Sequence, residues 1–198
     1  MNLDRFIYYK NNAFTDEFCD SMVAMFDERE ANNDVSVGQM ASGLNTDVKN
    51  STEVNLIGVV DNSFYEVINN HLSNYYLSTV PHQDKYNPDR RILSNATYYE
   101  VCQIQKYKKS SGHYNAWHVE VDGPESCIRP FSMIIYLNDV DNGGETSFLY
   151  TGNKVKPRKG GLLIFPSAFP FVHRGEVPIS NDKYIIATWL AYRPVVNL

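Results

Sequence analysis

Long hydrophobic runs are missing from this chain of 198 residues. No stretch approaches about 18 consecutive apolar residues, and the opening "MNLDRFIYYK" contains no apolar segment of the kind that directs export. Neither membrane insertion nor secretion is therefore expected, and a cytoplasmic location is. Positive charge is also scarce: 18 Lys and Arg against 23 Asp and Glu leave a formal net charge of -5. The densest basic spot, "YKKSSG" (107–112), has only two lysines, whereas a nucleic-acid surface needs a concentrated basic stripe, so nucleic acid is not an expected partner. Cysteine is sparse too. Cys19, Cys102 and Cys127 are odd in number and lack CxxC spacing, which argues against a disulfide framework or a cysteine-based zinc site and favours idle thiols in a reducing compartment. Internal repeats and low-complexity tails are absent.

What remains is a chain 43% hydrophobic and rich in aromatics, with 14 Tyr and 10 Phe. That is enough apolar material for one substantial core, and a single domain over 1–198 is expected. Two segments read as helices. Phe14, Phe18, Met22, Met25 and Phe26 fall at helical spacing behind Thr15, a capping residue, with Asp16 and Glu17 suited to the positive end of the helix dipole. Phe64, Val67, Ile68, Leu72, Tyr75 and Tyr76 form a second stripe, begun by a Ser63/Glu66 capping box and stopped by Pro81. Both stripes read as core-facing, and His71 on the second as structural. Residues 31–60 and 81–91 are polar and read as loops or edge strands. From residue 95 onward, short β-rich runs broken by Gly, Pro, Asn and Asp predict a sandwich or barrel. The organisation expected is 1–94 as helical and loop support and 95–198 as a β core, an α+β chain that is mainly β.

Chemistry is concentrated in "NAWHVEVDG" (115–123). In a strand, residues i and i+2 share a face, so His118 and Glu120 are expected to project together, with Trp117, Val119 and Val121 turned into hydrophobic packing. A buried imidazole and carboxylate are costly unless satisfied. A divalent cation satisfies them, and two His with one carboxylate form the facial triad of non-haem Fe(II) oxygenases. Alone, the pair describes a polar strand edge equally well. Further on, His173 follows a buried-looking strand, and ten residues later Lys183 opens another, in register with Ile185, Ala187 and Trp189. A lysine on a core-facing parity needs an anionic partner, either a bound dicarboxylate or a structural Asp or Glu. His113 lies near His118 but is separated from it by a loop-like stretch.

Taken together, "HVE", "YLNDVDNGGETSF" and "GLLIFPSAFPFVHRGEVPISNDKY" resemble the Fe(II)/2-oxoglutarate-dependent dioxygenases, in their prolyl 4-hydroxylase-like branch. The resemblance covers roughly residues 95–193. It implies a double-stranded β-helix (jelly roll, cupin-like) core and hydroxylation of a peptidyl proline, as in procollagen-proline 4-dioxygenases, with oxidative decarboxylation of 2-oxoglutarate to succinate and carbon dioxide. By position, His118, Glu120 and His173 match the iron ligands. Lys183 matches the cation that holds the far carboxylate of 2-oxoglutarate, Tyr107 the tyrosine that assists it, and Thr146 a residue lining the same pocket. Arg129 and Trp189 match substrate-peptide contacts, beside the alternatives of a surface ion pair and a core tryptophan. Fe(II), 2-oxoglutarate and O2 are the implied cofactors, with ascorbate as reductant, and a proline-containing peptide or protein the implied partner.

One position departs from the family pattern: Glu120 stands where Asp is usual, and the extra methylene requires the main chain to sit further back or the side chain to fold. Two other readings stay open. The same chemistry could act on a free amino acid, another side chain or a small metabolite. Alternatively, the jelly roll is a binding module whose triad is vestigial or holds a structural metal.

Overall fold

The computed structural model describes residues 3–40, 43–79 and 97–193. After a 3-10 turn (Leu3–Phe6) come β1 (Tyr8–Lys10), α1 (Asp16–Ala31), β2 (Ser36–Val37), β3 (Lys49–Asn50), β4 (Thr52–Asn55) and α2 (Asn62–Thr79). The β-rich part follows as β5 (Thr97–Tyr107), β6 (His113–His118), β7 (Phe131–Tyr136), β8 (Thr146–Phe148), β9 (Lys154–Val155), β10 (Leu162–Pro166), β11 (His173–Gly175) and β12 (Lys183–Tyr192). A seven-stranded sheet, in the order β1-β10-β7-β12-β5-β4-β2, faces a five-stranded one ordered β3-β6-β11-β8-β9, and every ladder is antiparallel. This is the expected jelly roll. The segment before residue 95 gives it more than helical cover, since β1 to β4 extend both sheets.

Period-two alternation divides the large sheet into two apolar faces. Ile104, Met133, Ile135, Leu162, Ile164 and Ile186 point outward into a core with Phe14, Cys19 and Phe26 of the α1 region and Ile68, Leu72 and Tyr75 of α2. Tyr107, Tyr136, Leu163, Phe165 and Ile185 point inward and meet Phe148, Val155 and Phe171 from the opposite side of the roll. A sheet covered on both faces explains why its strands read as near-continuous hydrophobic runs.

The helices form where the stripes place them. Thr15 caps α1, its hydroxyl accepting from the Phe18 N–H at 3.2 Å. The cap of α2 differs from expectation: Asp61, not Ser63, accepts from the N–H groups of Ser63 (2.9 Å) and Phe64 (3.4 Å), and Ser63 donates its own hydroxyl to that carboxylate. Both residues are capping types, and the carboxylate accepts several bonds at once. Pro81 and the stretch 81–91 lie outside the described residues. His71 is structural, its Nδ1 paired with the Tyr8 hydroxyl at 2.9 Å. All three cysteines are free; Cys19 and Cys102 are buried and Cys127 is exposed. Among the described residues no helix is long and apolar enough to cross a membrane.

Candidate metal and cosubstrate site

His118 is the last residue of β6 and His173 the first of β11, and they sit directly opposite each other across that antiparallel ladder. Opposed residues lie about 5 Å apart at Cβ, close enough for two imidazoles to share one ion; their ring centres are 4.3 Å apart. Glu120 reaches them from a different kind of backbone than expected. β6 ends at His118, so Glu120 stands in irregular chain, its N–H bonded to the Ser167 carbonyl at 2.9 Å. Two flanking expectations also fail. Trp117 is 39% exposed and carries the Arg174 guanidinium 4.4 Å above its ring, while Val119 lines the interior cavity. The outer face of the small sheet meets solvent, so a side chain turned away from the site there finds no second core.

Ligand atoms of His118, Glu120 and His173 all lie within 4.8 Å of one another, and theirs is the sole such cluster among the described residues. Their hydrogen bonding suits a cation. Nδ1 of His118 pairs with the Ala116 carbonyl at 2.9 Å and Nδ1 of His173 with the Phe171 carbonyl at 3.1 Å. A carbonyl only accepts, so each Nδ1 holds the ring proton and each Nε2 turns a lone pair inward. Those Nε2 atoms stand 3.5 and 3.3 Å from the same Glu120 oxygen. Three electron-pair donors aimed at one point repel one another unless a proton or metal ion lies between them. Burial alone would raise the Glu120 carboxyl's pKa, but when a proton rather than a metal fills the gap, an imidazole N–H donated to the carboxylate outweighs burial and holds the group well below its ordinary range. Burial pushes His173 the other way, below its usual value, against the pull of Glu120. Neutral imidazoles and an ionised carboxylate are the forms a divalent cation requires.

Lys183 is 2% exposed, and among the described residues the only acceptor for its ammonium group is the Gly144 carbonyl, at 3.0 Å. Its Nζ also lies 4.7 Å from the centre of the Tyr107 ring. Burial lowers its pKa to about 8, with the charges of Glu145 and Glu176 opposing the fall. A cation so poorly satisfied fits an anionic ligand. Tyr107 itself donates its hydroxyl to Gln105 at 2.7 Å, and the Thr146 hydroxyl pairs with that of Tyr136 at 2.8 Å.

A cavity of about 320 Å³ joins these groups, lined by the triad, by Lys183, Tyr107 and Thr146, and nearer the mouth by Arg129 and Trp189. The alternation in β12 holds, with Lys183, Ile185, Ala187 and Trp189 all facing the cavity. Arg129 is engaged already: its Nε bonds Glu100 and its guanidinium lies 4.8 Å from the Trp189 ring centre. His113 stays outside the cluster, both ring nitrogens facing main-chain carbonyls of Ser111 and Asp47. Four lining or supporting residues were missed in the reading of the sequence. Tyr114 stacks on His118 at 3.8 Å and was legible as its i−4 neighbour on the same strand face. Glu100, Tyr136 and Lys49 had no such signal; Lys49 is a buried lysine ion-paired to Glu53 at 2.6 Å.

The arrangement is a jelly roll around a candidate metal site, and known proteins resemble it in sequence and in fold. Residues 102–191 match the model of the 2OG-Fe(II) oxygenase superfamily. Probable prolyl 4-hydroxylase 9 of Arabidopsis thaliana is 30% identical over 120 residues, covering 49% of this chain and 41% of that protein. The chain thus spans well under half the length of this curated relative. Among solved structures, a Trichoplax adhaerens prolyl hydroxylase in complex with a hypoxia inducible factor oxygen degradation domain peptide fragment superposes with TM-score 0.71 at 16% identity, over 95% of this chain and 84% of that one. The viral collagen prolyl hydroxylase of Paramecium Bursaria Chlorella virus-1, in its 2OG complex, gives 0.65 at 18% identity, over 94% and 96%. The family model therefore covers most of the β-rich part of this chain and just under half of the whole. The relatives and solved structures that it resembles are prolyl 4-hydroxylases and prolyl hydroxylases.

Proposed function

We propose that this protein is an Fe(II)- and 2-oxoglutarate-dependent dioxygenase that hydroxylates a peptidyl proline. One observation carries the reading: two imidazoles with outward-bonded Nδ1 atoms and one ionised carboxylate converge in the same cavity that holds a buried, under-satisfied lysine. A structural metal site has no use for that lysine. His118, Glu120 and His173 would hold the metal, and three ligands leave positions open for cosubstrate and oxygen. With 2-oxoglutarate and O2, the bound iron would supply C–H hydroxylation coupled to loss of carbon dioxide and formation of succinate.

The chain's own residues bind, orient and shield. Lys183 pairs with the far carboxylate of 2-oxoglutarate, and its short reach from the Gly144 carbonyl sets where that end sits. Tyr107 backs the ammonium with its ring, Thr146 closes the pocket floor through Tyr136, and Phe165 excludes water from beside His173. Trp189 offers an aromatic wall to a proline ring at the mouth. Ascorbate as reductant, a proline-containing peptide as partner, one domain over 1–198 and a cytoplasmic setting belong to the same reading.

Succinate release with Fe(II), 2-oxoglutarate and a proline-rich peptide tests it. Peptide-stimulated release with hydroxyproline in the product is expected. Peptide-independent release would move the substrate to a small molecule, and no release in any mixture would leave a binding module. His173→Ala should abolish both turnover and metal binding in equilibrium dialysis; a variant that retains either sinks the ligand assignment.

A further inference from the structure

Glu120 is the weak point of the triad. His118 and His173 are held by the β6–β11 ladder, but Glu120 lies past the end of β6, with no strand partner to fix its main chain. Its side chain also has one more torsion than aspartate, so a small error in the main chain becomes a larger error at the carboxylate. Something else must fix its main chain on both sides, and three contacts do. The N–H groups of Glu120 and Val121 are taken by the Ser167 carbonyl at 2.9 and 3.2 Å. The Glu120 carbonyl faces Nη1 of Arg129 at 3.5 Å.

The Arg129 side chain is itself held on two sides. Nε bonds the Glu100 carboxylate, and the guanidinium lies over Trp189. The pairing of β5 with β12 makes this possible. Gln103 faces Ala187 but Glu100 faces Trp189, so β5 spends three residues where β12 spends two. That bulge sets Glu100 beside Trp189 at the cavity mouth, where strict alternation from Gln103 would have turned it away. A planar guanidinium, clamped by a carboxylate and a ring, is left with one edge toward the Glu120 carbonyl.

We infer that Arg129 is a positioning residue for the metal ligand Glu120, acting on its main-chain carbonyl from a clamp formed by Glu100 and Trp189, rather than a group committed to the substrate. The inference rests on the reading that Glu120 binds the metal. It differs from the substrate-contact role expected for Arg129 by resemblance, and the two separate by experiment.

The test is Co(II) titration of the metal-free protein, followed by ligand-field absorption, on the wild type and on Arg129→Met, Arg129→Lys and Glu100→Gln, with peptide KM measured at saturating Fe(II). Outer-shell partners of metal ligands are typically worth about 10–100-fold in affinity. Arg129→Met is expected to weaken Co(II) binding by a factor of that order while peptide KM stays near the wild-type value. Arg129→Lys should fail to rescue it, because an ammonium cannot span Glu100 and the Glu120 carbonyl as a flat fork. Glu100→Gln, which keeps the size and loses the charge, should weaken binding less, and it keeps the question open to measurement if Arg129→Met does not fold. Unchanged Co(II) affinity in Arg129→Met, or in a folded Glu100→Gln, overturns the inference, as does a raised peptide KM with normal metal binding. If the wild type binds no Co(II) while His173→Ala behaves identically, the metal reading itself has failed, and the inference with it.

Discussion

In the proposed role of Lys183 as the cation for 2-oxoglutarate, function opposes stability in one side chain. It is charged in the unfolded chain up to pH 10.5, yet buried in the fold its proton leaves near pH 8. Below about pH 8 the ammonium is present in both states, so the folded form carries the burial cost in full, ~3 kcal/mol for a difference of this size. Between pH 8 and 10.5 the unfolded state binds more protons, and stability therefore rises with pH across that window. Lys183→Met is expected to stabilise the fold by up to about 3 kcal/mol at pH 7, with the gain shrinking to nothing above pH 10.5, as read from denaturant unfolding at several pH values. The same variant should need far more 2-oxoglutarate for turnover. In the wild type the 2-oxoglutarate KM should climb as pH passes about 8; a flat profile from pH 7 to 9 would remove Lys183 from the cosubstrate site. The buried, inward-facing position of this lysine was legible in the sequence because its parity with Ile185, Ala187 and Trp189 survives in β12. Glu120 was legible in kind but not in setting, since nothing in "HVEVDG" marks where pairing with β11 stops.

At the scale of elements, α1 matters for function because it lies behind the sheet that carries Lys183. Phe26 is fully buried and meets Tyr184, the next residue after Lys183, edge-on at 5.7 Å. Beside it Lys106 of β5 bonds Glu30 at 2.6 Å and approaches Asp27 and Asp182, tying helix, strand and the turn before β12. Phe26→Ala should cost about 3–5 kcal/mol, the usual price of a large aromatic cavity, in urea unfolding. Because the loosened contact lies on the far side of β12 from the cavity, its 2-oxoglutarate KM should change much less than that of Lys183→Met. A loss below 1 kcal/mol would mean that the helix is not packed as described. The helices were readable from 3.6-residue stripes, since side chains that repeat on one face need one apolar neighbour surface. The two-residue strands β2, β3 and β9 were not, because so short a run has no measurable period and forms only when a longer strand offers it an edge.

Across the whole molecule, the N-terminal part completes the roll. β1 covers the edge of β10, Phe6 packs edge-on against Phe171 at 6.2 Å, and the N–H groups of Ala13 and Phe14 bond the Gly160 carbonyl. Removing residues 1–12 would leave β10, a buried hydrophobic strand, with an open edge, the usual template for association between chains. Such a truncated protein should aggregate in light scattering at concentrations where the full chain stays dispersed. If it remained monodisperse with an unchanged thermal midpoint, β1 would be a passive ornament of the sheet.

The sequence alone determined what depends on local order along the chain: two amphipathic helices, a β-rich half, a His-x-Glu followed by a distant His and a Lys at fixed spacing. Periodicity and residue chemistry are properties of neighbours, so they can be read without coordinates. The tertiary structure decided what depends on which strands meet and in what register. It set His118 opposite His173, brought Glu120 in from irregular chain, and used one extra residue in β5 to place Glu100 against Arg129. Register is a compromise among many long-range contacts, and a single slip inverts every side chain beyond it.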